Sequence, residues 1–328
     1  MTKKEFLELV EKKIVMLDGA TGSNLQKRGM PVGICPEQWI IENRNVMKEL
    51  QMEYIAAGTD ILYAPTFGCN RIKLAEYGLT DRIVEMNQKL VAISKDAIAE
   101  SGADRPVYVA GNLTMTGEQL YPIGTLPFEE LVEVYKEQIR ILESTGVDLL
   151  VVETMMSLQE CRAAVIAAKE VCDLPIMVSL SFNDDERTLY GTDAKTAMIV
   201  LQNLGADAVG LNCSTGPDKM HGMVAAMRRV ANVPIIVKPN AGLPELIDGE
   251  TVFNMEPEIF AKEMAALLEQ GVSIVGGCCG TTPEHIRMLA KQVKDLTPPA
   301  ISKEKVRAVT TERATVEINM ENGNFMVV

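Results

Sequence analysis

Val272-Ser273-Ile274-Val275-Gly276-Gly277-Cys278-Cys279-Gly280-Thr281-Thr282-Pro283-Glu284-His285 runs from an apolar segment through a glycine-rich turn into a helix start. Thr282 reads as an N-cap and Pro283 as the first helical residue, where a missing N–H costs nothing. Two adjacent cysteines therefore fall where a strand ends and a helix begins. In a repeating strand–helix fold that is where catalytic groups gather. The flanking glycines let the backbone turn tightly enough for both thiols to reach one side, whereas a regular strand would send them to opposite faces.

The same strand-then-turn signature recurs along the chain. Apolar segments at 14–17, 60–64, 107–110, 148–152, 176–180, 206–213, 235–237 and 272–275 read as strands. Helical patterns near 45–57, 82–100, 128–145, 158–172, 194–204, 218–230, 257–270 and 284–294 lie between them, with a short amphipathic helix at 5–13 ahead of the first strand. Ser157-Leu158-Gln159-Glu160 is a capping box opening the fourth of these eight helices. Eight strands alternating with eight helices predict an α/β fold, a TIM (β/α)8 barrel spanning residues 1–297. A doubled βα period supports the count. Ala-Gly-Thr-Asp, Thr-Gly-Val-Asp, Leu-Gly-Ala-Asp and Gln-Gly-Val-Ser lead into strands two, four, six and eight, and Asp-Arg-Pro, Asp-Leu-Pro and Asn-Val-Pro into three, five and seven. The strand-to-helix links are long, above all 18–44, 111–126 and 239–256, and length gathered on one barrel face marks a site there. Residues 298–328 form a C-terminal extension, read either as a hairpin around Asn322-Gly323 or as a linker.

The chain has 328 residues, 47% of them hydrophobic, ample for a large core. With 32 basic against 45 acidic residues its net charge is −13, which argues against binding to nucleic acid or an anionic membrane. There is no apolar run of spanning length and no signal-peptide pattern at Met1-Thr2-Lys3-Lys4-Glu5-Phe6. Seven cysteines, an odd number, point to a reducing, cytoplasmic setting.

Cys35, Cys69, Cys161 and Cys172 read as small core residues, and most of the 19 methionines as core filler. Cys278-Cys279 is different, because a glycine-rich turn offers no dry pocket for two thiols and adjacent cysteines make a poor disulfide. A metal site or a redox pair is the reading. Cys213, which closes Ala206-Asp207-Ala208-Val209-Gly210-Leu211-Asn212-Cys213, adds a third thiol at another strand end. Three thiolates at the ends of parallel strands suit Zn²⁺ with a fourth position left open.

Taken together, Asp18-Gly19-Ala20-Thr21-Gly22, Pro65-Thr66-Phe67-Gly68, Glu153-Thr154, Gly210-Leu211-Asn212-Cys213, Pro239-Asn240-Ala241-Gly242-Leu243-Pro244 and Gly276-Gly277-Cys278-Cys279-Gly280 resemble the homocysteine S-methyltransferase family, above all the homocysteine-binding barrels of its cobalamin-dependent branch. The resemblance covers about residues 10–295. It implies a barrel in which Cys213, Cys278 and Cys279 hold Zn²⁺, Asn240 supplies a displaceable fourth ligand, and Asp18 and Glu153 receive the ammonium of homocysteine. It further implies catalysis at the three cysteines and substrate contacts from Gly19 and Thr66. A free thiol is mostly protonated at neutral pH, and zinc coordination removes that proton, which is the chemistry a methyl acceptor needs.

Other readings stand beside these. Asp18 and Asn240 are also good turn formers, and Thr66 also suits the start of a loop. His221 and His285, the only histidines, read as structural or surface residues. The chain has no Asp-x-His-x-x-Gly cobalamin motif, so the methyl group must come from outside it. The expected donor is a separate methylcorrinoid protein. The alternatives are a small donor (S-methylmethionine, S-adenosylmethionine or betaine), another thiol acceptor, or, in a different class, a redox or structural zinc protein with a vicinal-cysteine switch.

Overall fold

The computed structural model describes residues 1–247 and 250–318. In chain order the strands are β1 (Val15–Met16), β2 (Ile61–Tyr63), β3 (Tyr108–Leu113), β4 (Leu149–Met155), β5 (Ile176–Leu180), β6 (Ala208–Asn212), β7 (Ile235–Lys238), β8 (Pro244–Ile247), β9 (Glu250–Phe253), β10 (Ile274–Val275), β11 (Ala308–Thr310) and β12 (Thr315–Glu317). Eight of them form one parallel sheet in the order β1-β10-β7-β6-β5-β4-β3-β2. A parallel bridge between Leu17 and Ile61 joins its two ends, so the expected (β/α)8 barrel is present. β1 and β10 are shorter than the expected 14–17 and 272–275: β10 begins two residues late, at Ile274, and Leu17 continues β1 only as the single bridge to Ile61.

Side chains alternate across each strand. Val15, Leu17, Ile61, Ala110, Leu149, Val151, Met177, Ala208, Ile236 and Ile274 face one apolar cluster inside the barrel. Met16, Leu62, Val109, Leu150, Val152, Val178, Val209 and Val237 belong to the larger cluster between strands and helices. The helix Lys3–Lys12, capped by Thr2, adds Phe6 and Val10 to the inner cluster and so plugs the end of the barrel where the strands begin. At the other end the inward series turns polar. Continuing the period of two gives Tyr63, Asn112, Glu153, Ser179, Asn212 and Lys238, all buried.

The long links carry structure of their own. Residues 18–44 contain the helices Gly22–Lys27 and Pro36–Glu42, and the link after β7 folds into the antiparallel pair β8–β9. Past the barrel, β11 and β12 pair as a hairpin whose Thr315 hydroxyl lies 2.8 Å from that of Thr196, while Arg313 Nε donates to the carbonyl of Tyr190 at 3.1 Å. The turn expected at Asn322-Gly323 lies outside the described residues. Among the described residues no helix is long and apolar enough to cross a membrane.

Candidate active site

The three predicted thiols meet at the strand-end face. The Sγ atoms of Cys213, Cys278 and Cys279 all lie within 4.8 Å of one another, close enough to ligate a single metal ion. Cys213 and Cys279 are 3.9 Å apart. Cys213 and Ser214 take left-handed backbone angles, φ 63° and 62°, which cost a non-glycine residue about 1–3 kcal/mol and mark a constrained site. Neighbouring loops hold this turn in place. The Cys213 amide donates to the Lys238 carbonyl at 3.1 Å, and the Asn240 amide to the Thr215 carbonyl at 3.0 Å. The Cys278 amide donates to Pro239, and the Cys279 carbonyl accepts from Ala241. Gly280, at φ 79°, turns the chain back toward the last helix.

Three thiolates this close would repel one another. Hydrogen bonds from Cys278 and Cys279 pull Cys213 down to about 3. The same sharing drives Cys278 up to about 11 and Cys279 higher still. One thiolate and two thiols are what the cluster tolerates without a cation. Asn212 Nδ2 approaches Cys278 Sγ at 3.9 Å, and its Oδ1 accepts from the Thr154 amide at 2.9 Å and from Ser179 Oγ at 2.8 Å. Asn212 thus ties β4, β5 and β6 to the thiols and holds Thr154 at φ 60°.

Asp18 and Glu153 lie in the same pocket, a cavity of about 340 Å³ that Gly19, Cys213, Cys278, Cys279 and Lys238 also line. Each carboxylate is half tied down. Asp18 Oδ2 accepts from the Tyr63 amide at 2.8 Å, and Glu153 Oε1 from Asn112 Nδ2 at 2.7 Å. Asp18 Oδ1 and Glu153 Oε2 are buried and have no hydrogen-bond partner. Burial pushes Asp18 up to about 6, although Lys238 and the Tyr63 amide oppose it, and burial likewise raises Glu153. Burial works against the Lys238 charge, but Glu153 and Asp18 outweigh it and hold the ammonium above the usual lysine range.

The other predicted residues are placed as follows. Asn240 is buried with Oδ1 unpaired, between Pro239 and Ala241, whose backbones bond to Cys278 and Cys279, and is not among the lining residues. Gly19 lines the pocket, and a Cβ there would sit 2.6 Å from the Tyr54 hydroxyl. Thr66 is fully buried, with its hydroxyl donating to the Asn112 carbonyl at 2.8 Å and accepting from the Asn112 amide at 3.0 Å, so it braces the pocket wall and is not among the lining residues. Cys35, Cys69 and Cys161 are core residues and Cys172 is half-buried. His285 is structural: its Nδ1 accepts from the Thr282 amide, so Nε2 carries the proton toward the Met255 carbonyl, 2.9 Å away. His221 pairs with Gln270. Sequence reasoning overlooked Lys238, Asn112 and Asn212. The period-two series Ile236, Lys238 and Ala110, Asn112 would have pointed two of them into the barrel.

The homocysteine S-methyltransferase family profile matches residues 15–293. The chain belongs to that family. It is 32% identical over 308 residues to the methionine synthase of Mycobacterium tuberculosis, and 30% identical over 302 residues to that of Mycobacterium leprae. Those alignments cover 90% and 88% of this chain but 26% and 25% of the synthases, so the chain spans about a quarter of their length. Among solved structures the metallated homocysteine methyltransferase MmuM from Escherichia coli superimposes with a TM-score of 0.71 at 21% identity, over 87% of this chain and 98% of that one. At that identity the likeness speaks for the fold of the family, a (β/α)8 barrel.

Proposed function

We propose that this barrel methylates homocysteine to methionine, with Cys213, Cys278 and Cys279 holding Zn²⁺ and Asn240 as its displaceable fourth ligand. The observation that carries the reading is a single pocket lined by both a thiol cluster and two half-free carboxylates. Homocysteine has a thiol and an α-ammonium at its two ends, and the pocket offers a partner for each. The donor set fits the metal on three counts: soft thiolates suit zinc, their proximity needs a cation to relieve it, and Asn240 Oδ1 stands buried and unpaired. Zinc bound there would strip the proton from a thiol ligand and leave a nucleophilic sulfur.

The protein's own residues do the rest. Asp18 Oδ1 and Glu153 Oε2 accept from the substrate ammonium and fix the amino acid's orientation. Asn112 and the Tyr63 amide hold those carboxylates, and Asn212 keeps β6 aligned with β4. Gly19 lets the turn after β1 pack against Tyr54 and Thr281, which any side chain there would strike. Residues 1–297 form the catalytic barrel and 298–328 its extension. The protein works in the cytoplasm, where its thiols stay reduced.

The methyl group comes from a separate methylcorrinoid protein. Support comes from the strand-to-helix links. Val32, Tyr121, Ile123, Leu189 and Leu246, each more than 60% exposed, all stand on links that leave the strand ends carrying the site. Exposed apolar side chains on that face suit a docked protein better than a small donor in free solution. The test is a zinc-replete assay of homocysteine methylation with methylcobalamin, betaine, S-methylmethionine and S-adenosylmethionine in parallel. Turnover with methylcobalamin alone is the expected result. Turnover only with a small donor moves the protein to the other branch of the family.

A further inference from the structure

Lys238 has no role in the chemistry set out above, yet among the described residues it is the one cation lining the pocket. It ends β7 in register with Asn212 and is buried. Its Nζ lies 3.4 Å from Asp18 Oδ1 and 4.0 Å from Glu153 Oε2, the two carboxylate oxygens that lack hydrogen bonds. It also sits 4.7 Å from the centre of the Tyr63 ring. A lysine that served only to neutralise two acids would close on one of them at hydrogen-bond distance, near 2.8 Å. Here the ammonium comes no closer than 3.4 Å to either, and its residue lines the cavity.

The three charges sum to −1, two carboxylates and one ammonium. Placing a bare amine on Asp18 and Glu153 would set a second cation within a few ångströms of Nζ, which costs affinity in a buried site. A zwitterion avoids this, because its own carboxylate lies one carbon from its ammonium. We propose that Lys238 is a specificity residue that receives the α-carboxylate of the acceptor while Asp18 and Glu153 take its ammonium, so that the pocket selects amino-acid thiols over simple aminothiols. This rests on the reading of the pocket as a homocysteine site.

The experiment is calorimetric titration of the zinc-loaded protein with homocysteine, with its decarboxylated counterpart 3-mercaptopropylamine, and with its deaminated counterpart 4-mercaptobutanoate. The wild type should favour homocysteine over both. In Lys238→Met, homocysteine should weaken about tenfold to a hundredfold, the loss of one charge-assisted contact, while 3-mercaptopropylamine binds as well as before or better. Lys238→Arg keeps the charge and should keep the preference, and it serves if the methionine variant folds poorly. Equal weakening of homocysteine and 3-mercaptopropylamine in Lys238→Met would overturn the proposal, because the lysine would then act only through the two acids. So would a wild type that binds 3-mercaptopropylamine as tightly as homocysteine. A wild type that binds none of the three thiols refutes the homocysteine site itself, and the specificity claim falls with it.

Discussion

Replacing Asp18 with asparagine should stabilise the protein at pH 8 while weakening its hold on homocysteine. Asp18 is almost wholly buried, and its carboxyl titrates at about 6 against an ordinary 3.8. Between those values the folded state holds a proton that the unfolded chain has lost, so stability falls as pH rises through the window. Above it the full cost of keeping the anion buried is present, about 3 kcal/mol. At pH 5 about half of it remains, and below pH 4 almost none. Asparagine never carries the charge, and it can still accept from the Tyr63 amide through its carbonyl oxygen. Urea unfolding of the wild type and Asp18→Asn at pH 8, 5 and 4 should therefore show a gain that shrinks steadily with acidity. The same variant should raise the KM for homocysteine about tenfold to a hundredfold, the worth of one charge-assisted hydrogen bond, with a smaller effect on kcat. A variant less stable than wild type at pH 8, or a stability difference that ignores pH, would refute the reasoning.

Cys213→Ser should lower bound zinc well below one equivalent by elemental analysis, whereas Cys161→Ser, in the core, should leave it unchanged. One full equivalent retained in Cys213→Ser would favour a vicinal-cysteine switch at Cys278 and Cys279 over a three-thiolate site. Asn212→Ala removes three hydrogen bonds, to the Thr154 amide, the Thr154 hydroxyl and Ser179. It leaves the half-buried Thr154 N–H unpaired, for a loss of about 3–5 kcal/mol in urea unfolding. Gly19→Ala drives a methyl group into Tyr54, whose hydroxyl donates to the Ala20 carbonyl at 2.7 Å. It should cost about 1–3 kcal/mol in the same measurement and weaken homocysteine binding in titration.

The barrel was legible because its strands are buried on both faces and so read as continuous apolar runs between short, regular links. The thiols were legible because Cys278-Cys279 occupies a turn where core filling makes no sense. Asp18 and Glu153 came from family resemblance, and the structure adds that one oxygen of each is tied to the scaffold. Lys238 escaped notice because a lysine at the end of an apolar run looks like the start of a solvated loop. Only closure of the sheet turns that position inward, onto Asp18 just past β1 and Glu153 from β4. Thr66 adds a contact that sequence does not show: its hydroxyl is used by the backbone of β3. The hairpin β8–β9 was hidden inside a link that carries only loop signals.

The central claim is that one metal joins the three thiols to the substrate sulfur. Zinc K-edge absorption on the reconstituted protein, with and without homocysteine, tests it most directly. Three sulfur neighbours and one lighter neighbour in the free protein, becoming four sulfurs when homocysteine is added, is the predicted result. A sulfur count that homocysteine leaves unchanged would contradict it.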